Sequence, residues 1–130
     1  MKNLLLFGIV LLFSTSIYAQ RNDNAVYLHT WEYTAKNGMQ DDFEKAAAKK
    51  TTMFNKTPET AISTYRIITG SNTGNYVRVQ GNQSPADYDV DRSAEGNYWN
   101  DNVSKYLAGN GEHVRWVKLN NGSYDPDPED

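Results

Sequence analysis

The sequence predicts a two-layer α+β domain whose elements follow the order β-α-β-β-α-β. Three observations predict it: strand-like runs rich in β-branched and aromatic residues, two segments with helical periodicity, and a Gly/Asn-rich hairpin loop between the middle strands. Such an order favours a four-stranded antiparallel sheet with both helices on one face. The chain has 130 residues, which suits a single domain of this kind.

Residues 1–19 have the three parts of a secretory signal peptide. Lys2 supplies a positive charge, residues 4–13 are apolar, and the small residue Ala19 precedes the expected cleavage site, which could move by a residue or two. The apolar run is shorter than the ~20 residues that span a bilayer, so a retained membrane anchor is the less favoured interpretation. We therefore expect an exported protein, periplasmic or extracellular, without membrane attachment after cleavage.

Composition limits the partners of the mature protein. The chain contains no cysteine, so its stability must come from a hydrophobic core or from a partner subunit rather than from disulfides. This composition favours a bacterial origin for an exported protein. The formal net charge of −3 provides no basic field for nucleic acid, and we expect no nucleic-acid partner.

The first half of the domain contains three strands and one helix. Residues 25–33 and 61–69 are predicted strands, and residues 74–80 form the third strand after a loop at 70–74. A turn at 36–38 leads into a helix over 39–55, whose acidic residues come before its lysines, and the helix ends before Pro58.

The second half begins with a second predicted helix. Ser84 suits its N-cap and Pro85 its first position, Gly96 is expected to divide it, and the glycines at 109 and 111 are expected to end it. A final strand is predicted over 112–119. The domain therefore spans residues 20–119, and the acidic residues 120–130, which have little apolar area to bury, form a flexible tail.

Alternation along the strands assigns the two faces of the sheet. The aliphatic residues of strands one and three suit the helix-covered face: Val26, Leu28, Val77 and Val79. The opposite, open face then carries Tyr27, His29, Trp31, Tyr33, Tyr76, Arg78 and Gln80. The faces of strands two and four stay ambiguous.

A face this aromatic is expected to be covered. The favoured interpretation is packing against a second subunit, which makes a homodimer the expected assembly. A more specific interpretation is that the open face also lines a ligand cavity, with aromatic walls and polar contacts from His29, Arg78 or Arg115. The candidate ligand-binding residues are His29, Trp31, Tyr33, Tyr76 and Arg78.

The element order, the two layers and the polar-aromatic sheet face together resemble the dimeric α+β barrel superfamily, which has a ferredoxin-like fold. The resemblance covers nearly all of the mature chain and implies that two sheets pack face to face around a cavity for a small organic ligand. Members include antibiotic-biosynthesis-type and haem-degrading monooxygenases, and proteins without known activity. The fold therefore implies no single activity.

The sequence predicts neither a metal site nor a cofactor. His29 and His113 lie on the first and last strands, which are neighbours in this fold, but no third ligand accompanies them. The resemblance implies a helix histidine as the iron ligand of haem-degrading relatives, and neither predicted helix contains a histidine. The chain also lacks a cysteine nucleophile and a Gly-x-Ser-x-Gly elbow.

Three functions stay open. The leading hypothesis is an exported α+β barrel that binds a small apolar or aromatic ligand. The first alternative is a monooxygenase-like enzyme, cofactor-independent or of the haem type. The second is an envelope or surface interaction module that binds peptide or glycan through Tyr98 and Trp99.

Overall fold

The computed structural model of the protein describes residues 22–119 and 122–123. The predicted signal peptide and nearly all of the predicted tail lie outside the described residues. Within the described part, the elements are β1 (Tyr27–Ala35), α1 (Gln40–Phe54), β2 (Ser63–Arg66), β3 (Tyr76–Gln83), a 3-10 helix (Pro85–Tyr88), α2 (Ser93–Asn102), a 3-10 helix (Ser104–Tyr106) and β4 (Leu107–Val117). No helix in this part has the length and apolar character that crossing a membrane requires.

The strands form one antiparallel sheet in the order β2-β3-β1-β4. The predicted β-α-β-β-α-β order and the ferredoxin-like α+β fold are therefore confirmed, and the first and last strands are neighbours. β1 and β3 are central, so their side chains have strands on both sides and contribute most to the surface beneath the helices.

The core lies between α1, α2 and the central strands. Phe43, Ala47 and Lys50 form the buried stripe of α1, at the spacing that places side chains on one face of a helix. The Phe43 ring is fully buried and lies 4.7 Å from the Tyr76 ring, centroid to centroid. Val103 and Leu107 complete the buried cluster.

The second helical region differs from the prediction in two places. The chain first forms the 3-10 helix over Pro85–Tyr88, capped by reciprocal hydrogen bonds between Ser84 and Asp87, and the break comes before Ser93 rather than at Gly96. β4 begins at Leu107, five residues earlier than predicted, because these residues pair with the end of β1. A glycine is needed at 111, where a Cβ would lie 2.9 Å from the Cβ of Glu32.

The prediction of which sheet face the helices cover is wrong. Tyr76, Arg78 and Gln80 of β3 are at most 3 % exposed and lie beneath the helices, whereas Leu28 is 38 % exposed on the other face. The aromatic residues of β1 share the helix-covered face with these three. Large side chains fill the gap between the two layers and find polar partners there, which hydropathy alone does not take into account.

The open face instead combines apolar residues with polar ones such as Thr30 and Glu32. Cross-strand partners share a face, and the pairs on this face include Leu28 with Trp116 and Thr30 with Val79. The Trp116 indole N–H donates a 3.0 Å hydrogen bond to the Thr30 hydroxyl, and the Trp116 side chain remains 52 % exposed. Tyr65 pairs with Val77 and also lies on the open face.

Candidate functional site

A β-bulge at the end of β3 shapes the helix-covered face. The register with β1 shifts between Tyr27 and His29, where Asn82 adopts a φ of 54°, a conformation that asparagine tolerates better than most residues. The extra residue turns Gln83 to the same face as Gln80. Both glutamines are buried, and the Gln83 amide donates a 2.8 Å hydrogen bond to the backbone carbonyl of Glu59.

A cavity of about 370 Å³ lies between the helix-covered face and the segments that cross it. Its lining comes from β1, β3, α1, α2, the 3-10 helix over Pro85–Tyr88 and connecting segments. The lining residues are His29, Trp31, Tyr33, Lys50, Ile62, Arg78, Gln80, Gln83, Asp87, Tyr88, Val90, Arg92, Glu95, Gly96, Trp99 and Asn100. Its volume falls within the ~300–1,000 Å³ of typical small-molecule pockets.

Aromatic rings form much of the cavity wall. Tyr33 of β1 and Trp99 of α2 lie 4.9 Å apart, centroid to centroid, and Trp31 stacks on His29 at 4.0 Å. Tyr88 of the 3-10 helix lies 6.1 Å from the His29 ring. Burial raises the pKa of Tyr33 to about 12, so its hydroxyl stays protonated and can donate a hydrogen bond at neutral pH.

Arg78 places a buried guanidinium beside these rings. Its Nη2 donates a 2.6 Å hydrogen bond to the Thr51 hydroxyl of α1, and its guanidinium carbon lies 4.9 Å from the centroid of the Trp99 ring. Burial lowers the pKa of Arg78 from its usual value, but an arginine stays charged at any physiological pH. Its Nε is buried without a hydrogen-bond partner among the described residues.

A buried ion pair lies next to Arg78. Lys50 donates hydrogen bonds to the Glu95 carboxylate and, over 2.8 Å, to the Asn55 side-chain oxygen, and the Asn55 amide donates back to Glu95 over 3.0 Å. Burial and the nearby Arg78 lower the pKa of Lys50, although the bond to Glu95 opposes this. Burial alone would raise the pKa of Glu95, but the bonds from Lys50 and Asn55 outweigh it and lower that pKa.

His29, which lines the cavity, stacks on His113 of β4. Their ring centroids lie 4.7 Å apart, and burial together with His113 and Arg115 lowers the pKa of His29 to about 4. At neutral pH His29 is therefore an uncharged imidazole. Among residues 22–119 and 122–123, no group of three potential ligands is close enough to hold a metal ion. With no histidine on α1 or α2, these residues do not fit a haem bound through a helix histidine.

The candidate ligand-binding residues fall into two groups. His29, Trp31, Tyr33 and Arg78 line the cavity together, although the cavity lies on the helix-covered face and not on the open face where the sequence placed it. Tyr76 does not line it: its ring is in the core and its hydroxyl donates a 2.6 Å hydrogen bond to Glu44.

Sequence reasoning missed the lining residues that come from the helices. Lys50 follows Phe43 and Ala47 at helical spacing, so the inner stripe of α1 already contained the signal for its burial. Glu95 and Tyr88 had no comparable signal, because their positions depend on the break between the 3-10 helix and α2.

The proposed surface aromatics are both engaged within the domain. Trp99 packs against the core and beneath Arg78, and Tyr98 lies 5.4 Å from the Phe54 ring. Both side chains are half-buried. This arrangement counts against an interaction module that binds peptide or glycan through these two rings.

Comparison with known proteins supports the fold and goes no further. No family model and no characterised relative matches the sequence. A structure from Bordetella bronchiseptica, provisionally named an antibiotic biosynthesis monooxygenase, matches with a TM-score of 0.59 and 17% identity over 73% of this chain and 98% of that chain. Rv0793 from Mycobacterium tuberculosis matches with a TM-score of 0.51 and 12% identity over 78% of this chain and 97% of that one. At such identities the likeness shows a shared ferredoxin-like fold.

Proposed function

We propose that the protein binds a small aromatic ligand in the cavity between the sheet and the helices. The observation that carries this proposal is a cavity of about 370 Å³ lined by four aromatic residues, Trp31, Tyr33, Tyr88 and Trp99. Flat apolar walls with a few convergent polar groups are typical of small-molecule sites. The Lys50, Arg78 and Glu95 side chains supply those polar groups.

Gly96 offers a way to fill this cavity. It lines the cavity, and a Cβ added there meets nothing within 4 Å, so a larger side chain can be introduced without a steric clash. Its helical neighbours Arg92, Trp99 and Asn100 also line the cavity, which places position 96 on the same helix face. Gly96→Leu should therefore occupy part of the ligand volume while leaving the fold intact.

The test is a calorimetric titration with the uncharged two-ring probe 2-naphthamide. Wild type should bind it in the micromolar to low-millimolar range, and Gly96→Leu should weaken binding at least tenfold. Gly109→Leu is the matched control, because Gly109 also has open space around its Cβ and lies outside the cavity. Equal binding to Gly96→Leu and wild type, or no binding to wild type, would contradict the proposed site.

A second candidate function is oxygenation of the bound ligand without a cofactor. The observation that favours it is the structural likeness to a protein named as a monooxygenase, together with an uncharged His29 in the cavity whose imidazole can accept a hydrogen bond from a substrate hydroxyl. In such a reaction one oxygen atom of O₂ enters the substrate and the other leaves as water, and the substrate supplies all the electrons.

A phenol tests this second candidate directly. With 1-naphthol and O₂, the expected products are 1,4-naphthoquinone and water, measured by oxygen uptake and by quinone absorbance. Removal of the imidazole in His29→Ala should abolish the uptake. If 1-naphthol binds while oxygen uptake stays at the level without protein, the binding function stands and the oxygenase function is rejected for phenols.

We also propose that the protein forms a homodimer in which the open face of each sheet is buried against the other copy. No more than six apolar residues are buried in the described part of one chain, which is a small core for a domain without disulfides. Leu28 and Trp116 are directly paired on the open face and are 38 % and 52 % exposed. A two-fold axis would bring this apolar pair onto its own copy.

Light scattering at micromolar concentration tests the dimer. Wild type should have the mass of a dimer, and Leu28→Lys should shift it to a monomer because the charge would be buried in the interface. Met53→Lys, at a position on α1 that is 49 % exposed, is the control and should stay dimeric. A monomeric wild type would contradict the proposed dimer but would not bear on ligand binding in the cavity.

Export is proposed on the signal pattern of residues 1–19. Mass spectrometry of protein from the periplasm or medium of a bacterial host should find a chain that begins at or within two residues of Gln20. Recovery of the uncleaved chain from the cytoplasm or the membrane would contradict export by this signal.

A further inference from the structure

We propose that Arg78 is the anchor of an anion subsite, and that the ligand of the cavity is an aromatic carboxylate. This inference rests on the proposed binding function and names the chemical class of its ligand. Arginine presents a planar array of donors that matches the two oxygens of a carboxylate, which makes it the side chain of choice for such groups.

The first support is the incomplete set of partners around Arg78. The residue is 2 % exposed, yet no carboxylate among the described residues forms an ion pair with it. Its guanidinium donates a 2.6 Å hydrogen bond to the Thr51 hydroxyl and lies over the face of the Trp99 ring, but its Nε has no hydrogen-bond partner in this part of the chain. A buried charge is normally paired, so a guanidinium left in this state is a site where an anion is expected.

The second support is that the buried Tyr88 hydroxyl also lacks a hydrogen-bond partner in the described part of the chain. Two buried side-chain polar atoms in residues 22–119 and 122–123 lack a hydrogen-bond partner: Arg78 Nε and the Tyr88 hydroxyl oxygen. Both belong to residues that line the same cavity, on different elements of the fold. Acceptor oxygens of a ligand can satisfy such donors, which a purely apolar ligand cannot do.

The charge of the cavity lining points the same way. Lys50 is matched by Glu95 through their direct ion pair, whereas Arg78 has no such match. In all, three cationic side chains and two carboxylates line the cavity, and this leaves one uncompensated positive charge. An anion with a single charge restores neutrality, and the rings of Trp31 and Trp99 provide the walls for its aromatic part.

The experiment compares two probes of equal size that differ in charge, 2-naphthoate and 2-naphthamide, by calorimetric titration at pH 7. Wild type should bind 2-naphthoate roughly tenfold to a hundredfold more tightly, as expected for a charge-assisted hydrogen bond in a buried site. Arg78→Met should remove this preference, and Tyr88→Phe should reduce it several-fold. Arg66→Met, at an exposed arginine that pairs with Glu44 outside the cavity, should keep it.

Each outcome decides the proposal. Equal affinity of wild type for both probes would overturn the anion subsite while leaving the aromatic cavity in place. A preference that survives in folded Arg78→Met would also overturn it, by assigning the anchor to another cation. If Arg78→Met fails to fold, the wild-type preference and its several-fold reduction in Tyr88→Phe decide. Absence of binding for both probes would reject the cavity itself and the subsite with it.

Discussion

The buried pair of Lys50 and Glu95 gives the sharpest stability prediction. The two side chains are 5 % and 16 % exposed, and Asn55 hydrogen-bonds to both. Glu95→Gln keeps an acceptor oxygen but removes the negative charge, so it leaves the Lys50 ammonium buried beside the Arg78 guanidinium. Loss of one partner of a buried pair costs about 3–5 kcal/mol. Because glutamine retains one acceptor, we expect the free energy of unfolding to fall by about 2–4 kcal/mol.

The same substitution on the surface provides the control. Glu44 pairs with Arg66, but these side chains are 43 % and 52 % exposed, and an exposed pair contributes about 0–1 kcal/mol. Urea denaturation at pH 7, followed by tryptophan fluorescence, measures both variants. A Glu95→Gln variant within 0.5 kcal/mol of wild type, or a Glu44→Gln variant that loses as much, would refute the reasoning. Lys50→Met combined with Glu95→Gln should lose less than the sum of the single changes.

Three further predictions follow from the geometry. Burial and cationic neighbours lower the pKa of His29 to about 4, so the unfolded state takes up the proton first as the pH falls. His29→Gln should therefore reduce the loss of stability between pH 6.5 and 5, by roughly 1 kcal/mol for a partly exposed group. An unchanged pH profile of urea midpoints would contradict this prediction. Phe43→Ala should cost about 3–5 kcal/mol in urea denaturation, since the ring is fully buried, and a loss under 1 kcal/mol would show that the core is elsewhere. Gly111→Ala should lower the melting temperature more than Gly109→Ala, because its Cβ would meet Glu32 at 2.9 Å, and equal melting temperatures would rule out the close approach.

The order of the elements could be predicted from the sequence because it depends on local signals. Strand runs, the helical period of residues 39–55 and the loop before β3 each act within a few residues. The start of β4 could not be predicted in this way. Leu107 reads as the end of a helix, and only its pairing with Ala35 at the end of β1 makes it a strand residue.

The face of the sheet could not be predicted because burial here follows partners and size rather than hydropathy. Arg78 and Gln83 are buried because the Thr51 hydroxyl and the Glu59 carbonyl accept their hydrogen bonds, and both acceptors are distant in sequence. Valines 77 and 79 face outward, and their partners on β1 are the polar residues Glu32 and Thr30. Alternation alone shows which residues share a face and leaves open which face the helices cover.

The sequence therefore predicted which polar and aromatic residues share a sheet face better than it predicted whether the helices cover that face. His29, Trp31, Tyr33 and Arg78 do lie together on one face, since they alternate along two paired strands. Their association with Lys50 required the helices to be in place. The binding role of these residues stays a prediction.

A crystal structure of the protein with 2-naphthoate tests the central claim most directly. We predict that the naphthalene ring lies in the cavity lined by Trp31 and Trp99, with its carboxylate hydrogen-bonded to Arg78. Ligand density on the open face around Trp116, or an empty cavity in crystals grown at saturating ligand, would contradict the account.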